Sequence, residues 1–319
     1  MIKKKVILLF LLLISLYFIS CDDSFNPYAP FTEDYILNGI IRGDTTYQVV
    51  TLTHSYQPKS TDPLTYKNDP AIVGARVELT YDNKVYELRD SSITRTDISH
   101  FDIPFRFYYT NNLRPDVNKT ISIKVVLPNG KFLEAETKTP NASKYSFFNI
   151  FYPTYHTDFS FPPDTGTKSY VYWENVGSYV YAPDININYQ VTGDSTFYKI
   201  AVPVSFNEDG TPEYAQPTRD DFLSFNASAV RKTLDELANK YGSASKLKII
   251  NITVDMQIYD EYLSIYYSSI ELGLDGFTIR IDTPDYSNIK GGYGIFGCYI
   301  KMHHTISFRS DYLNSLGFQ

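Results

Sequence analysis

The chain has 319 residues, a formal net charge of −7 from 29 basic and 36 acidic side chains, and an aromatic content of 16%. That acidity offers no phosphate neutralisation and argues against a nucleic-acid partner. Two cysteines are too few for a disulfide framework.

Lys3-Lys4-Lys5 precedes an apolar run from Val6 to Ile14, which continues through Ser15 to Phe18-Ile19-Ser20-Cys21. A basic start, a short apolar stretch and a small residue before the cut make a secretory signal. The stretch is shorter than the ~20 residues that a membrane-spanning helix needs. Asp22-Asp23, Asn26 and Pro27 then end any helix. With a cysteine directly after the cut, residues 1–20 are expected to be a lipoprotein signal peptide. Residues 21–33 are then a polar tether lipidated at Cys21. Cleavage leaves 26 basic residues (29 less the three lysines) against 36 acidic ones, a net charge of −10. Cys298, in Phe296-Gly297-Cys298-Tyr299-Ile300, then has no partner and reads as a small hydrophobe on a buried strand.

Period-two alternation dominates from there. Strands are predicted at Tyr35 to Ile41, Tyr47 to Thr53, Ala75 to Tyr81, Lys84 to Leu88, Ile121 to Leu127 and Lys131 to Thr137. Asp82-Asn83 and Pro128-Asn129-Gly130 are the turns of two hairpins. The fold class is all-β: residues 34–140 read as an immunoglobulin-like β-sandwich ending near Pro140-Asn141. Residues 141–319 read as a second β-rich domain with two short helices. Its strands fall at Lys168 to Trp173, Ile185 to Val191, Phe197 to Phe206 (Pro203 marking an edge or bulge), Gly276 to Ile281 and Ile295 to Phe308. A helix over 227–241 buries Val230, Leu234 and Leu237, with Asn226 or Ser228 to cap it and Gly242 to close it. Ile250, Ile252, Val254, Met256 and Ile258 alternate strictly; a helical period follows over 260–272. Its tyrosine stripe (Tyr259, Tyr262, Tyr266, Tyr267) reads as core packing.

No catalytic constellation stands out. Gly292-Tyr293-Gly294-Ile295-Phe296-Gly297 matches G-x-G-x-x-G but lies between a loop and a strand, where a dinucleotide site needs a strand and a helix. The glycines instead serve backbone bending or ring packing. Asp184-x-Asn186-x-Asn188 imitates a calcium loop, but Tyr189 stands where that loop requires Gly and Ser195 where it requires Glu. Asn207-Glu208-Asp209-Gly210 reads as a turn. His303 and His304 would face opposite sides of a strand, and His54, His100 and His156 lack spaced partners, so no metal is expected. Asp220-Asp221 reads as loop charge. No cofactor motif is present. Tyr and Phe supply 50 of the 51 aromatic residues, and exposed rings can stack on sugars or anchor a protein partner. The candidate binding surface is therefore Phe105, Phe107, Tyr108, Phe148, Tyr152 and Tyr155.

Residues 18–21 resemble a bacterial lipobox, with Phe18 where Leu is usual. Asp22-Asp23 resembles the acidic run of surface-exported Bacteroidota lipoproteins; in enteric bacteria Asp after the Cys would mean inner-membrane retention. Asp44-Thr45-Thr46 and Asp194-Ser195-Thr196 resemble Bacteroidota O-glycosylation acceptors. Three segments resemble an uncharacterised family of Bacteroidota outer-membrane lipoproteins known as a domain of unknown function. They are Leu37-Asn38-Gly39-Ile40-Ile41, Pro70-Ala71-Ile72-Val73-Gly74-Ala75-Arg76-Val77, and Ser287-Asn288-Ile289-Lys290-Gly291-Gly292-Tyr293-Gly294-Ile295-Phe296-Gly297. The 207–245 stretch is less typical of that family. The resemblance implies a cell-envelope protein anchored to the outer membrane, on its outer or periplasmic face, beside a TonB-dependent transporter or another envelope protein. A glycan is a further partner class. The expectation is a non-enzymatic binding or accessory protein, the alternative a hydrolase of envelope glycan or peptide with its site at the domain junction.

Overall fold

A computed structural model describes residues 31–57, 66–98, 101, 103–141, 147–152, 160–161, 168–174, 179–271 and 286–319. The first half folds as β1 (Tyr35–Arg42), β2 (Gln48–His54), β3 (Arg76–Tyr81), β4 (Lys84–Ile93), β5 (Phe105–Thr110), β6 (Thr120–Val126) and β7 (Phe132–Lys138). The second half contributes β8 (Phe147–Tyr152), β9 (Ser160–Phe161), β10 (Lys168–Trp173), β11 (Tyr181–Val191), β12 (Tyr198–Ala201), β13 (Ser205–Phe206), β14 (Pro212–Glu213), β15 (Phe222–Asn226), β16 (Leu247–Tyr259) and β17 (Tyr293–Phe308). The helices are α1 (Ala227–Tyr241), α2 (Glu261–Glu271) and the unanticipated α3 (Ser310–Ser315). The protein is all-β with a few short helices. The strand predicted at Gly276 to Ile281 lies outside the described residues.

The main sheet runs β12-β11-β16-β17-β1-β2-β5-β4-β3-β6-β7. β4 pairs with β3 through Lys84–Leu88 and with β5 through Arg89–Ile93, so it passes from one layer of a β-sandwich to the other. Between the layers lie Leu37, Ile41, Val50 and Leu52 facing Val77, Leu79, Ile121, Ile123 and Val125. Each such aliphatic side chain contributes about 1.5–3 kcal/mol when fully buried. The turn at Asp82-Asn83 has positive φ at both residues, as a two-residue hairpin connection requires. Gly130 N–H donates to Leu127 O at 2.9 Å in the second predicted hairpin.

The sandwich does not close with residue 140. Its last strand is the start of β17, which pairs parallel to β1 with Gly39 beside Phe296 and places Phe296 and Cys298 in the sandwich core. The remainder of β17 pairs with β16, from Tyr299 opposite Tyr259 to Ile306 opposite Ile252. Asp34–Gln319 accordingly forms one compact unit with two main cores that share a strand. In the second core, Val230, Leu234 and Leu237 of α1 pack with Ile187, Ile252, Val254 and Met256. Gly242 ends α1 with φ 79°, as read from sequence; Asn226 sits at the N-cap position without a side-chain cap bond.

Where β16 leaves the ladder, side chains continue it along the edge of β17. Asp260 N–H donates to Cys298 O (2.9 Å), and Cys298 N–H donates to Asp260 Oδ2 (2.7 Å). Two residues earlier, Phe296 N–H donates to Asn288 Oδ1 (2.9 Å) and accepts at its carbonyl from Asn288 Nδ2 (2.7 Å). The N–H and C=O groups of Phe296 and Cys298 are thereby paired, where leaving one buried without a partner costs about 1–3 kcal/mol.

The glycine string is architecture. Gly294 has φ +115°, and any side chain there would strike the backbone of Leu37. A Cβ on Gly297 would lie 2.5 Å from Leu263 Cγ and 3.1 Å from Asp260 Oδ1, so its absence lets α2 rest on β17. Gly297→Ala is expected to destabilise the protein by about 1–3 kcal/mol through overpacking, read as a lower urea midpoint at unchanged slope. An unchanged midpoint would mean that α2 does not bear on this strand.

Candidate functional site

β5 was not predicted as a strand, and it decides the fate of the aromatic candidates there. Its alternation turns Tyr108 into the sandwich core, where the hydroxyl accepts from Ala75 N–H (3.1 Å) and donates to Ile72 O (2.9 Å). Phe105, Phe107 and Tyr109 point the other way and form a run with Tyr47, with ring centroids 6.2, 6.1 and 5.4 Å apart. Phe107 is nonetheless buried, because the strand is central and flanking rings cover it. Phe107 and Tyr108 are therefore not a binding surface; Phe105 stays half-exposed beneath Arg95. Phe148 and Tyr152 fall on β8, whose side chains lie outside the described residues, as do Tyr155 and Cys21.

The tyrosine stripe packs as expected. Tyr259 and Leu263 are buried with Val180, Ile295 and Tyr299; Tyr262, Tyr266 and Tyr267 lie against them, and Tyr259 stacks on Tyr267 at 4.8 Å. Asp184, Asn186 and Asn188 share one face of β11, with Asn188 Nδ2 donating to Asn251 Oδ1 at 2.6 Å. Asn207–Gly210 is a turn, with Gly210 N–H donating to Asn207 O. Asp220 and Asp221 are exposed beside β15. Among the described residues no group of three or more His, Cys, Asp or Glu could hold a metal ion. No helix among them is long and apolar enough to cross a membrane.

Two aspartates that sequence reasoning passed over carry the densest polar chemistry. The first, Asp260, ends β16 and is the N-cap of α2: Leu263 N–H donates to its Oδ1 at 2.7 Å, as a capping carboxylate requires. Its other oxygen accepts from Cys298 N–H and from the Thr137 hydroxyl of β7. Burial pushes the Asp260 carboxyl above its ordinary value, although all three donors pull it down. Burial, with the neighbouring Asp260 charge, likewise drives the Cys298 thiol well up, which makes it unreactive. Above Thr137 lies a cleft of about 160 Å³ between the sandwich and α2, lined by Glu136, Thr137, Lys138, Tyr179, Glu261 and Tyr262. It is smaller than the ~300 Å³ at which small-molecule sites begin.

The second, Asp255, is buried at its carboxylate on the polar face of the β12-β11-β16-β17 layer. Oδ2 accepts from Lys199 Nζ (2.9 Å) and lies 3.6 Å from Lys301 Nζ; Oδ1 lies 2.6 Å from His303 Nδ1. Burial alone would raise this carboxyl, but Lys199, His303 and Lys301 hold it below the usual range. His304, on the opposite face, is buried, and that burial lowers its pKa. An Asp–His pair of this kind can orient an imidazole for proton transfer, yet a general base needs a reacting hydroxyl within reach. The polar neighbours bonded on this face, Asn188, Asn251 and Thr253, satisfy one another instead. Strand alternation places Asp255 with Asn251 and Thr253, a signal present in the sequence; the converging lysines depend on register.

Neither a protein-family model nor a curated protein matches the chain.

The two aspartates make opposite contributions to acid stability. Asp255, with its folded pKa depressed, stabilises above the ordinary carboxylate pKa of 3.8, and that contribution is lost as pH falls through the folded value. Asp260, with its folded pKa raised from 3.8, contributes most below that value and progressively less as pH rises through the folded value. Urea unfolding between about pH 3 and 7 should show the wild-type advantage over Asp255→Asn shrinking at the acid end, and the difference from Asp260→Asn changing with pH in the opposite sense. Parallel profiles for both variants would refute the assignment. The Cys298 thiol should resist alkylation in the native protein and react at the rate of a free thiol only in denaturant; rapid native labelling would contradict its burial.

Proposed function

We propose that this chain is a lipid-anchored protein of the bacterial cell envelope that binds or assists a partner rather than catalysing a reaction. The observation that carries this reading is the run from Lys3-Lys4-Lys5 through the short apolar stretch to Ser20-Cys21, followed at once by Asp22-Asp23. Lipoproteins of this kind carry two or more acyl chains on the cysteine, enough for stable anchoring where one chain binds only marginally. The outer membrane as the site, and a TonB-dependent transporter as neighbour, rest on the resemblance of the three segments at 37–41, 70–77 and 287–297.

A hydrolase is the second reading, and one observation favours it. The cleft between the sandwich and α2 carries two exposed carboxylates, Glu136 and Glu261. Against it stand the small volume and the commitment of nearby Asp260 to three hydrogen bonds. Glycoside hydrolysis needs an acid and a base held across a substrate-sized groove.

Cys21→Ala should abolish incorporation of radiolabelled palmitate and shift the protein out of the membrane fraction. Wild-type-like labelling in that variant would sink the anchor. Affinity purification of the intact protein from solubilised envelopes should bring down an outer-membrane transporter; if no envelope protein came with it, the accessory role would lose its support. Glu136→Gln and Glu261→Gln should leave partner recovery unchanged. Loss of a measurable glycan- or peptide-cleaving activity in either variant would instead establish the hydrolase.

A further inference from the structure

One end of the sandwich collects exposed apolar side chains, and it is the end where residue 34 enters β1. The pairing fixes this. β1 runs parallel to β17, with Ile36 beside Tyr293, and antiparallel to β2, with Tyr35 beside His54. β5 is antiparallel to β2, with Val50 beside Tyr108, so the loop joining β4 to β5 reaches the same end as Tyr35. The β6–β7 turn is there too, because Asn129 Nδ2 donates to the Tyr35 hydroxyl at 2.7 Å.

On this end Ile93 (57% exposed) closes β4, and Ile98 (64%) and Ile103 stand on the β4–β5 loop. Val126 and Phe132 (50%) flank the β6–β7 turn, and Tyr293 (54%) opens β17. Isoleucines at a loop tip are unusual where turn residues are normally polar, and a cluster of exposed apolar side chains marks an interaction site. The opposite end of the sandwich offers Tyr47 and Val85 among the described residues.

The β4–β5 loop is braced. Arg95 donates from Nη2 to the buried Asp69 carboxylate (2.7 Å) and from Nε to Ile103 O (2.8 Å). Its guanidinium also lies 5.1 Å from the Phe101 ring and 5.3 Å from the Phe105 ring. A loop held in this way meets a partner with little ordering cost.

We propose that this end is a membrane-contacting face: Ile93, Ile98 and Ile103, with Phe132 and Tyr293 beside them, dip into the lipid interface beneath the protein. The inference rests on the lipid-anchor reading. Cys21 precedes β1 by a tether of residues 22–33, which spans at most about 40 Å when fully extended, and the tether joins the body at this end. Charge does not drive the contact, because exposed Lys290 lies beside Glu134 at 3.7 Å and the end carries both signs. Apolar insertion therefore works on uncharged lipid, and aromatic rings at the rim sit at headgroup level.

The test uses the full, lipidated protein purified from membranes and placed in phosphatidylcholine vesicles containing a doxyl-labelled lipid. An environment-sensitive fluorophore is attached to Ile98→Cys or, at the far end, to Val85→Cys (Val85 is 56% exposed in the native chain); Cys298 is buried and does not compete for the label. The label at 98 should lose about half its emission to the quencher, as expected for a group within the interface, while the label at 85 keeps its own. Equal emission at both sites in protein that floats with the vesicles would overturn the membrane face and leave the anchor standing. Protein that fails to float would overturn both.

Discussion

The parallel pairing of β1 with β17 is the constraint on which the rest of the fold depends. It joins residues as far apart as Asn38 and Ile295, 257 positions along the chain. A parallel pair always needs a crossover; here the crossover is nearly the whole protein. The cost of closing so long a loop grows only with the logarithm of its length, and the return is large. Through that one pairing the sandwich gains Phe296 and Cys298, α2 gains a surface to rest on, and the two halves become one sheet. The sequence segments at 37–41 and 287–297 meet at this seam, and the segment at 70–77 reaches the neighbouring strand β2. Gly39 lies beside Phe296, and Ala71 bridges to Thr53 at the end of β2.

The same seam explains why one carboxylate sits in the interior without a counter-charge. Asp260 must satisfy a strand edge and a helix start together, and an aspartate offers enough acceptor positions for both. Five residues earlier, on β16, Asp255 is solved differently, by cations converging from β12 and β17. One carboxylate is held by backbone donors and the other by charge. Burial pushes both carboxyls up; the cations outweigh it at Asp255, and the hydrogen bonds at Asp260 do not.

Much of this was legible before the fold. Alternation placed β1, β10 and β16, a helical period with its closing glycine gave the helix over 227–241, and the mismatch of the glycine string with a nucleotide site was visible from its flanks. β5 was not legible, because rings on both faces of Phe105-Arg106-Phe107-Tyr108-Tyr109 erase the alternation that marks a strand. For the same reason Phe107 and Tyr108 read as exposed platforms when one is covered by its neighbours and the other is core. The partner of Gly297 was beyond reach, since it depends on where α2 lands. So was the membership of β17 in both halves, because alternation says which face a residue takes but not which strand lies beside it. The grouping of Lys199, Lys301 and His303 about Asp255 likewise requires the register of three strand pairs.

Sharing one strand between the halves also governs the order in which the protein can be completed. β1 emerges well ahead of β17, so the edge of β1 waits unpaired while the intervening chain is synthesised. An unpaired edge is a template for the wrong neighbour, and pairings this distant in sequence form slowly. A nascent chain halted before residue 293 would hold all seven early strands and still have an open core, so the early half cannot mature ahead of the late one. Quality control therefore falls on β17, and a stop just ahead of it would be felt 257 positions earlier, at β1.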